Sequence, residues 1–124
     1  MHEFSLVQAL LEQVAAEVEK LDRGGPVLAI DLAVGRLSGV HVDSLRFAFE
    51  VLAPESLAAG AELRISQPSA AVRCRACAAA TDIDELVMRC PQCGSERIAI
   101  VGGQDLMLQS IELGETPPKP NRGS

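Results

Sequence analysis

All four cysteines of the chain fall into two Cys-x-x-Cys pairs, Cys74–Cys77 and Cys90–Cys93. A tight turn at this spacing brings two thiolates within reach of one metal ion, and two facing turns complete a closed tetrahedral site. Four thiolates suit zinc or iron, and the spacing is typical of a zinc ribbon, so we favour a structural Zn²⁺. A redox dithiol, two disulfides and a single iron in the same cage are the alternatives.

A closed site of four cysteines has no open coordination position, so its metal would fold the protein and perform no chemistry. Gly94 directly follows the second pair and can take the positive φ that such a turn often needs. Ala78, at the same place after the first pair, takes that conformation at a higher cost. The function has to be sought in other residues.

A second set of metal donors stands at the N-terminus. The α-amine of Met1, the backbone nitrogen of His2 and the His2 imidazole can close two adjacent chelate rings around one ion. Three nitrogens in this arrangement favour square-planar Ni²⁺ or Cu²⁺, with Glu3 as a candidate fourth donor. On the residues alone, however, the simpler interpretation is favoured: His2 and Glu3 are ordinary residues ahead of a helix, and Glu3 complements the helix dipole.

His41 is the only other histidine of the chain and lies in a predicted turn segment, residues 35–43. A lone turn histidine is more typical of a solvated polar residue than of a metal ligand. If this segment lies beside the N-terminus, His41 and Asp43 become candidate fourth donors.

The composition predicts one compact domain with an aliphatic core, since the 124 residues include three phenylalanines and no tryptophan or tyrosine. The net charge of −6 argues against nucleic-acid and anionic-membrane partners, which need a basic face. No apolar run is long enough to span a bilayer, and no signal peptide is visible. Cysteines at metal-binding spacing, in a chain without a visible signal peptide, fit a protein of the reducing cytoplasm, and we expect the protein there.

The periodicity predicts two helices. Apolar residues recur at helical spacing over residues 5–21, with Ser5 as the N-cap. A second helix is expected from Ser44 to Leu52, with Asp43 as its N-cap.

Strands are predicted at residues 27–34, 62–66, 97–101 and 106–113. Residues 70–74 are expected to continue the second of these strands into the metal segment, and residues 81–85 to form a polar excursion. Gly102 to Asp105 is predicted to be a hairpin turn joining the last two strands. The expected fold is therefore α+β: two helices packed on a small mixed β-sheet, with an inserted Cys₄ zinc ribbon.

These elements predict three parts of the chain. Residues 1–70 and 99–114 form an α/β domain, residues 71–98 form the zinc ribbon, and residues 115–124 form a flexible proline-rich tail.

Several motifs together resemble the HypA/HybF nickel metallochaperones of hydrogenase maturation. The resemblance rests on the opening Met-His-Glu-x-Ser-Leu, both cysteine pairs and the closing Ser110-Ile-Glu112, and also on Gly35-Arg-Leu-Ser38, Phe47-x-Phe-Glu50 and Gly103-x-x-Leu106. It covers nearly the whole chain, excepting the proline-rich tail.

This resemblance implies a nickel-binding domain with an attached zinc domain. Nickel would be held through His2 with support from Met1 and Glu3, and it would be cargo that is transferred, whereas zinc would be structural. In the family an acidic residue after the first long strand can assist nickel, and that place falls near His41 here. An imidazole would serve nickel at least as well, so His41 is a candidate further ligand.

The resemblance also implies partners. The family works with a GTPase that handles nickel and docks on the hydrogenase large subunit, and some members also supply urease maturation. We expect no nucleic-acid or membrane partner, and a monomer or a weak homodimer.

The competing hypothesis is a zinc-ribbon module that binds protein or nucleic acid without a nickel role. Four arginines near the cysteines give it some support: Arg73, Arg75, Arg89 and Arg97. They are equally explained as compensation of the dianionic metal centre. An enzyme is disfavoured, because the chain lacks a nucleophile–base pattern, a phosphate-binding glycine loop and, once zinc binds, a free thiol.

Overall fold

The structure is a computed structural model that describes residues 2–21 and 25–115. It contains two α-helices, a short 3₁₀ helix and six strands. In chain order these are α1 (His2–Glu19), β1 (Val27–Val34), α2 (Val42–Leu52), the 3₁₀ helix (Ala53–Glu55), β2 (Glu62–Ser66), β3 (Ala70–Cys74), β4 (Ala80–Ile83), β5 (Ile98–Val101) and β6 (Leu106–Leu113).

Helix α1 begins at His2, three residues before the predicted start, and Ser5 lies inside it. The first N–H groups of a helix have no intrahelical acceptor and can bond to water instead. The Glu3 carboxylate complements the positive end of the helix dipole. The helix can therefore extend through Ser5 without a cap at that residue. It ends at Glu19, two residues before the predicted end, and Leu21 is exposed.

Helix α2 begins at Val42, and its N-cap is His41 instead of the predicted Asp43. The His41 side chain accepts a hydrogen bond from the backbone nitrogen of Ser44. Asp43 lies within the first turn, where its charge still favours the helix dipole. The two helices pack against each other. Their buried apolar residues are Val7, Leu10, Leu11 and Val14 on α1 and Leu45, Ala48 and Phe49 on α2.

The first sheet has the strand order β2-β1-β6, so β1 is its central strand. Most of β1 is buried, including Ile30 and Leu32, which are among the largest fully buried side chains. Burial on much of both faces requires a nearly continuous apolar strand, as the sequence predicted.

The second sheet has the order β4-β3-β5, and both pairings are antiparallel. In the register, Val72 of β3 faces Thr81 of β4 and Ile100 of β5. Its core consists of Ala70, Val72 and Ile83, covered by Leu37, Val87, Ile98 and Ile100. A small aliphatic core thus supports the segment that carries the cysteines.

Three predictions about the strands were wrong. Residues 80–83 form β4, where a polar excursion was expected. Strand β3 belongs to a different sheet from β2, so it is no continuation of that strand. Likewise, β5 and β6 lie in different sheets, and the link between them is not a hairpin turn.

The link between β5 and β6 pairs with the segment that follows β1. The backbone nitrogen of Leu37 donates to Gly103 O over 2.7 Å, and that of Gly35 donates to Asp105 O over 2.8 Å. A Cβ on Gly35 would collide with the Gly103 carbonyl, and a Cβ on Gly103 would collide with Ala70. Because the alternation of side chains carries no information about such backbone contacts, the sequence suggested the simpler hairpin.

The chain divides into two compact units. One comprises Met1–Asp31, His41–Arg64 and Gln109–Ser124, and the other comprises Leu32–Val40 and Ile65–Leu108. The predicted division into residues 1–70 with 99–114, residues 71–98 and a tail stays a prediction, and residues 116–124 of that tail lie outside the described part. Within residues 2–21 and 25–115, no helix combines the length and apolar character needed to cross a membrane.

Candidate metal centre

The sulfur atoms of Cys74, Cys77, Cys90 and Cys93 all lie within 4.8 Å of one another. The Sγ atoms of Cys74 and Cys93 are 3.6 Å apart, and those of Cys77 and Cys90 are 3.7 Å apart. A tetrahedral ion with metal–sulfur bonds of about 2.3 Å would separate its ligands by about 3.8 Å. The four thiols therefore fit around one zinc-sized ion, and the spacing is too long for S–S bonds.

The two cysteine pairs are held by matching turns. In the first, the nitrogen of Ala78 donates to Cys74 O over 3.1 Å, and in the second that of Gly94 donates to Cys90 O over 2.8 Å. Ala78 has φ 64° and Gly94 has φ 77°. The predicted positive φ is thus present after both pairs, and only the second pair has a glycine to accommodate it.

Backbone N–H groups point at two of the sulfur atoms. Those of Ala76 and Cys77 donate to Cys74 Sγ over 3.3 and 3.4 Å, and that of Gln92 donates to Cys90 Sγ over 3.3 Å. The hydrogen bond from Cys77 is the largest cause that lowers the pKa of Cys74, to about 6. These N–H groups favour the thiolate, the metal-binding form, at Cys74, whereas at Cys93 the backbone hydrogen bond from Ser95 is outweighed by the contacts with the other thiols and by burial, which raise the pKa.

The second sheet positions the first cysteine pair directly, through β3. Cys74 is the last residue of β3, and its register partner on β5 is Ile98. Cys74 and Cys90 are buried, whereas Cys77 and Cys93 are exposed. One residue of each pair is thus buried and the other is exposed, while all four sulfur atoms converge.

The N-terminal candidates lie at the start of α1. His2 and Glu3 occupy its first turn, and Met1 lies outside the described residues. Glu3 Oε2 accepts from the backbone nitrogen of His41 over 3.4 Å, so the predicted turn segment does approach the N-terminal helix. Asp43 lies in the first turn of α2.

These N-terminal side chains do not converge on a point as the cysteines do. Among residues 2–21 and 25–115, the four cysteines are the only group of three or more histidine, cysteine or acidic side chains close enough to share an ion. The assignment of nickel to Met1, His2, Glu3 and His41 therefore stays a prediction.

A polar network on the first sheet was missed by the sequence analysis. Arg64 on β2 donates from Nε to Asp31 Oδ1 over 2.8 Å and from an Nη2 atom to Glu112 Oε1 over 2.9 Å. The Ser110 hydroxyl donates to Asp31 Oδ2 over 2.6 Å. These contacts join all three strands, and the hydrogen bond from Arg64, followed by that from Ser110, lowers the pKa of Asp31.

This network gives a structural reason for the closing Ser110-Ile-Glu112 motif, because both polar residues reach partners on other strands. The one available signal was Asp31, the sole charge in an otherwise apolar strand. Nothing in the local sequence indicated that Arg64 would be its partner.

An acidic side chain neutralises one of the four arginines near the cysteines, and a second ion pair joins the segment after β1 to the end of β4. Arg89 Nη2 lies 3.3 Å from Glu96 Oε2, and Arg36 Nη1 lies 2.9 Å from Asp84 Oδ1. Both pairs are exposed, so they add little stability. They do reduce the free positive charge that a nucleic-acid surface would need.

Comparison with known proteins identifies relatives over almost the entire chain. The family described as "Hydrogenase/urease nickel incorporation, metallochaperone, hypA" matches residues 1–113. A relative from Chlorobaculum tepidum, named Hydrogenase maturation factor HypA, is 39% identical over 113 residues, which cover 91% of this chain and 99% of that protein. One of the same name from Xanthobacter autotrophicus is 34% identical over 113 residues, again covering 91% of this chain and 99% of the relative.

Solved structures share the fold. The solution structure of the Ni metallochaperone HypA from Helicobacter pylori is 23% identical with a TM-score of 0.62, covering 90% of this chain and 96% of that chain. Another, described as the solution structure of HypA protein, is 24% identical with a TM-score of 0.66, covering 91% of this chain and 96% of that chain. These likenesses confirm the predicted fold class, two helices with small sheets and a four-cysteine site.

The match over residues 1–113 and the identity to the curated relatives confirm the resemblance seen in the motifs. The family consists of maturation factors and not of enzymes, which agrees with the missing catalytic pattern. The chain belongs to the HypA family of nickel metallochaperones of hydrogenase maturation.

Proposed function

We propose that this chain binds Ni²⁺ at its N-terminus and delivers it, with a GTPase partner, to the hydrogenase large subunit. The observation that carries the proposal is the family match that begins at residue 1 and so includes Met1, His2 and Glu3. Nickel is the cargo here, and we place this transfer in the cytoplasm, where thiols stay reduced.

The position of His2 and Glu3 at the start of α1 supports this role. The first four N–H groups of an α-helix have no intrahelical acceptor. The backbone nitrogens of His2 and Glu3 therefore take part in no helical hydrogen bond, even though both residues are helical. An ion that displaces an amide proton at these positions would leave the hydrogen bonds of α1 intact.

Exposure at the chain end also suits a carrier that must release its cargo. His2 is exposed, whereas two of the four cysteines, Cys74 and Cys90, are buried. Terminal nitrogen donors can exchange an ion quickly, whereas a closed four-sulfur site cannot. Protonation of the amine and the imidazole competes with nickel, so affinity is expected to fall as the pH drops through the range of histidine titration.

We assign the four cysteines to a structural zinc. Cys74, Cys77, Cys90 and Cys93 have the spacing that the ion requires, and Zn²⁺ bound there would cross-link the two turns. All four ligands come from the protein, which leaves no position for a substrate. The zinc would therefore stabilise the ribbon and take no part in the transfer of nickel.

The test uses protein whose first residue is Met1 and from which any tag has been removed. Isothermal titration with Ni²⁺ and metal analysis before and after are expected to show one nickel besides one zinc. His2→Ala is expected to abolish the specific nickel binding and to leave zinc and circular dichroism unchanged. Nickel binding by His2→Ala with the affinity of the parent protein would refute the N-terminal site.

A second variant tests the amine. A chain extended before Met1 keeps every side chain but turns the α-amine into an amide. It is expected to bind nickel more weakly, because one of the nitrogen donors has been removed. Competition with a chromophoric chelator, followed by absorbance, measures this, and equal affinity in both chains would contradict amine ligation.

The partner step has its own experiment. The GTPase of the same maturation pathway, mixed with the nickel-loaded chain, is expected to form a complex by size-exclusion chromatography and to carry nickel afterwards. The His2→Ala variant is the control that should transfer none. Complex formation without any movement of nickel would contradict the delivery step.

A further inference from the structure

His41 caps α2 through its ring. It has φ −86° and ψ 110°, the extended conformation of an N-cap residue, and its Nδ1 accepts from the backbone nitrogen of Ser44 over 3.2 Å. The Ser44 hydroxyl lies 2.8 Å from the same nitrogen and can donate to it as well. Two donors thus converge on the lone pair of Nδ1.

Glu3 completes this cap from the other helix. In a capping box, the residue at the third helical position reaches back to the N–H of the N-cap residue. Ser44 holds that position in α2, but its hydroxyl lies against the His41 ring. The His41 N–H is instead accepted by Glu3 Oε2, over 3.4 Å.

We propose that His41 is a positioning residue, which caps α2 and holds Glu3 beside it, and that it is not a nickel ligand. A neutral imidazole has one nitrogen with a lone pair and one with a proton. Since Nδ1 accepts from Ser44, the proton is on Nε2, which leaves no lone pair there for an ion. The loop after β1 then contributes to the N-terminal site through its main chain.

Binding of nickel by the His41 ring would break the N-cap of α2. A metal at Nε2 requires the proton to move to Nδ1, where it would point at the N–H of Ser44, and a metal at Nδ1 would replace that N–H directly. Either way the first turn of α2 loses an acceptor. The part of this proposal that concerns nickel rests on the proposed function, whereas the cap stands on the contacts alone.

Two substitutions at one position separate the roles. His41→Asn removes the imidazole but supplies an oxygen that caps helices well, and His41→Ala removes both. In the full chain loaded with zinc, His41→Asn is expected to melt within about 1 °C of the parent, and His41→Ala about 3–5 °C lower. Equal melting of His41→Ala and the parent, or a His41→Asn variant as unstable as His41→Ala, would overturn the cap.

Nickel affinity tests the second half of the proposal. With a competing chelator, the His41→Asn variant is expected to bind Ni²⁺ within about twofold of the parent, because no donor is lost. His41→Ala is expected to bind about threefold more weakly, since Glu3 is then less well held. A loss of tenfold or more in His41→Asn would show that the imidazole is a ligand and would overturn the proposal.

The ring itself can be observed. Nitrogen-15 NMR of the nickel-free chain at pH 8, assigned with His2→Ala, is expected to show the His41 proton on Nε2. A proton on Nδ1 would overturn the cap. If the parent binds no nickel at its N-terminus, the proposed function fails, while the melting temperatures and the NMR spectrum still decide whether His41 caps α2.

Discussion

Replacing Ala78 by glycine is expected to stabilise the ribbon. Ala78 has φ 64°, in the left-handed region, where an L-residue costs about 1–2 kcal/mol because Cβ approaches the following carbonyl. Glycine removes this strain, but it also raises the conformational entropy of the unfolded chain, which lowers the stability by about 0.4–1 kcal/mol. The difference leaves a net gain of about 0.5–1 kcal/mol for Ala78→Gly.

The second cysteine pair provides the matched control. Gly94 lies at the equivalent place with φ 77°, and a Cβ there would meet nothing within 4 Å. Gly94→Ala therefore adds backbone strain without a steric clash, and it is expected to destabilise by a similar amount, about 0.5–1 kcal/mol. One substitution removes a Cβ and the other adds one, at two matching turns.

The assay is urea unfolding of the zinc-loaded protein, followed together with zinc release to a chromophoric chelator. Ala78→Gly is expected to raise the unfolding midpoint and slow the release, and Gly94→Ala to do the opposite. The double variant should return close to the parent protein, because the residues occupy separate turns. A lower midpoint for Ala78→Gly would refute the argument that the backbone is strained at this residue.

Three further predictions concern the metal centre, the polar network and the core. Cys90→Ser is expected to abolish stoichiometric zinc binding and to expose the ribbon amides to hydrogen exchange, whereas retention of one zinc by metal analysis would count against a structural role for this thiol. Because Arg64 and then Ser110 lower the pKa of Asp31 in the folded state, the folded chain binds fewer protons there than the unfolded chain. The stabilisation that the ionised Asp31 contributes is complete above the unfolded pKa of about 4 and is lost as the pH falls through the lower folded pKa. Urea midpoints of Asp31→Asn should therefore decline less steeply with acid than those of the parent. Parallel declines would contradict this. Leu45→Ala removes a side chain that is 1% exposed and is expected to cost about 3 kcal/mol in thermal unfolding, while a cost below about 1 kcal/mol would mean that the surrounding core relaxes around the cavity.

The sequence was most informative where a pattern is local and repeated. The spacing of the cysteines was enough to predict that the two thiols of each pair lie close together, because a Cys-x-x-Cys turn brings its own two thiols together whatever surrounds it. Strand β1 was predicted to its end residues, since a buried strand needs a continuous apolar run. The opening Met-His-Glu and the closing Ser-Ile-Glu indicated the family that the comparison then confirmed.

Contacts between distant segments were decided by the tertiary structure alone. The backbone N–H of His41 donates to Glu3 across 38 residues of sequence, a contact that no local spacing indicated. Likewise, Arg64 donates a hydrogen bond to Asp31, 33 residues away in sequence, and β5 and β6 lie in different sheets. Local spacing determines which residues can meet within one turn, whereas pairing across the chain depends on which backbones approach closely enough to exchange hydrogen bonds, and only the folded chain specifies that.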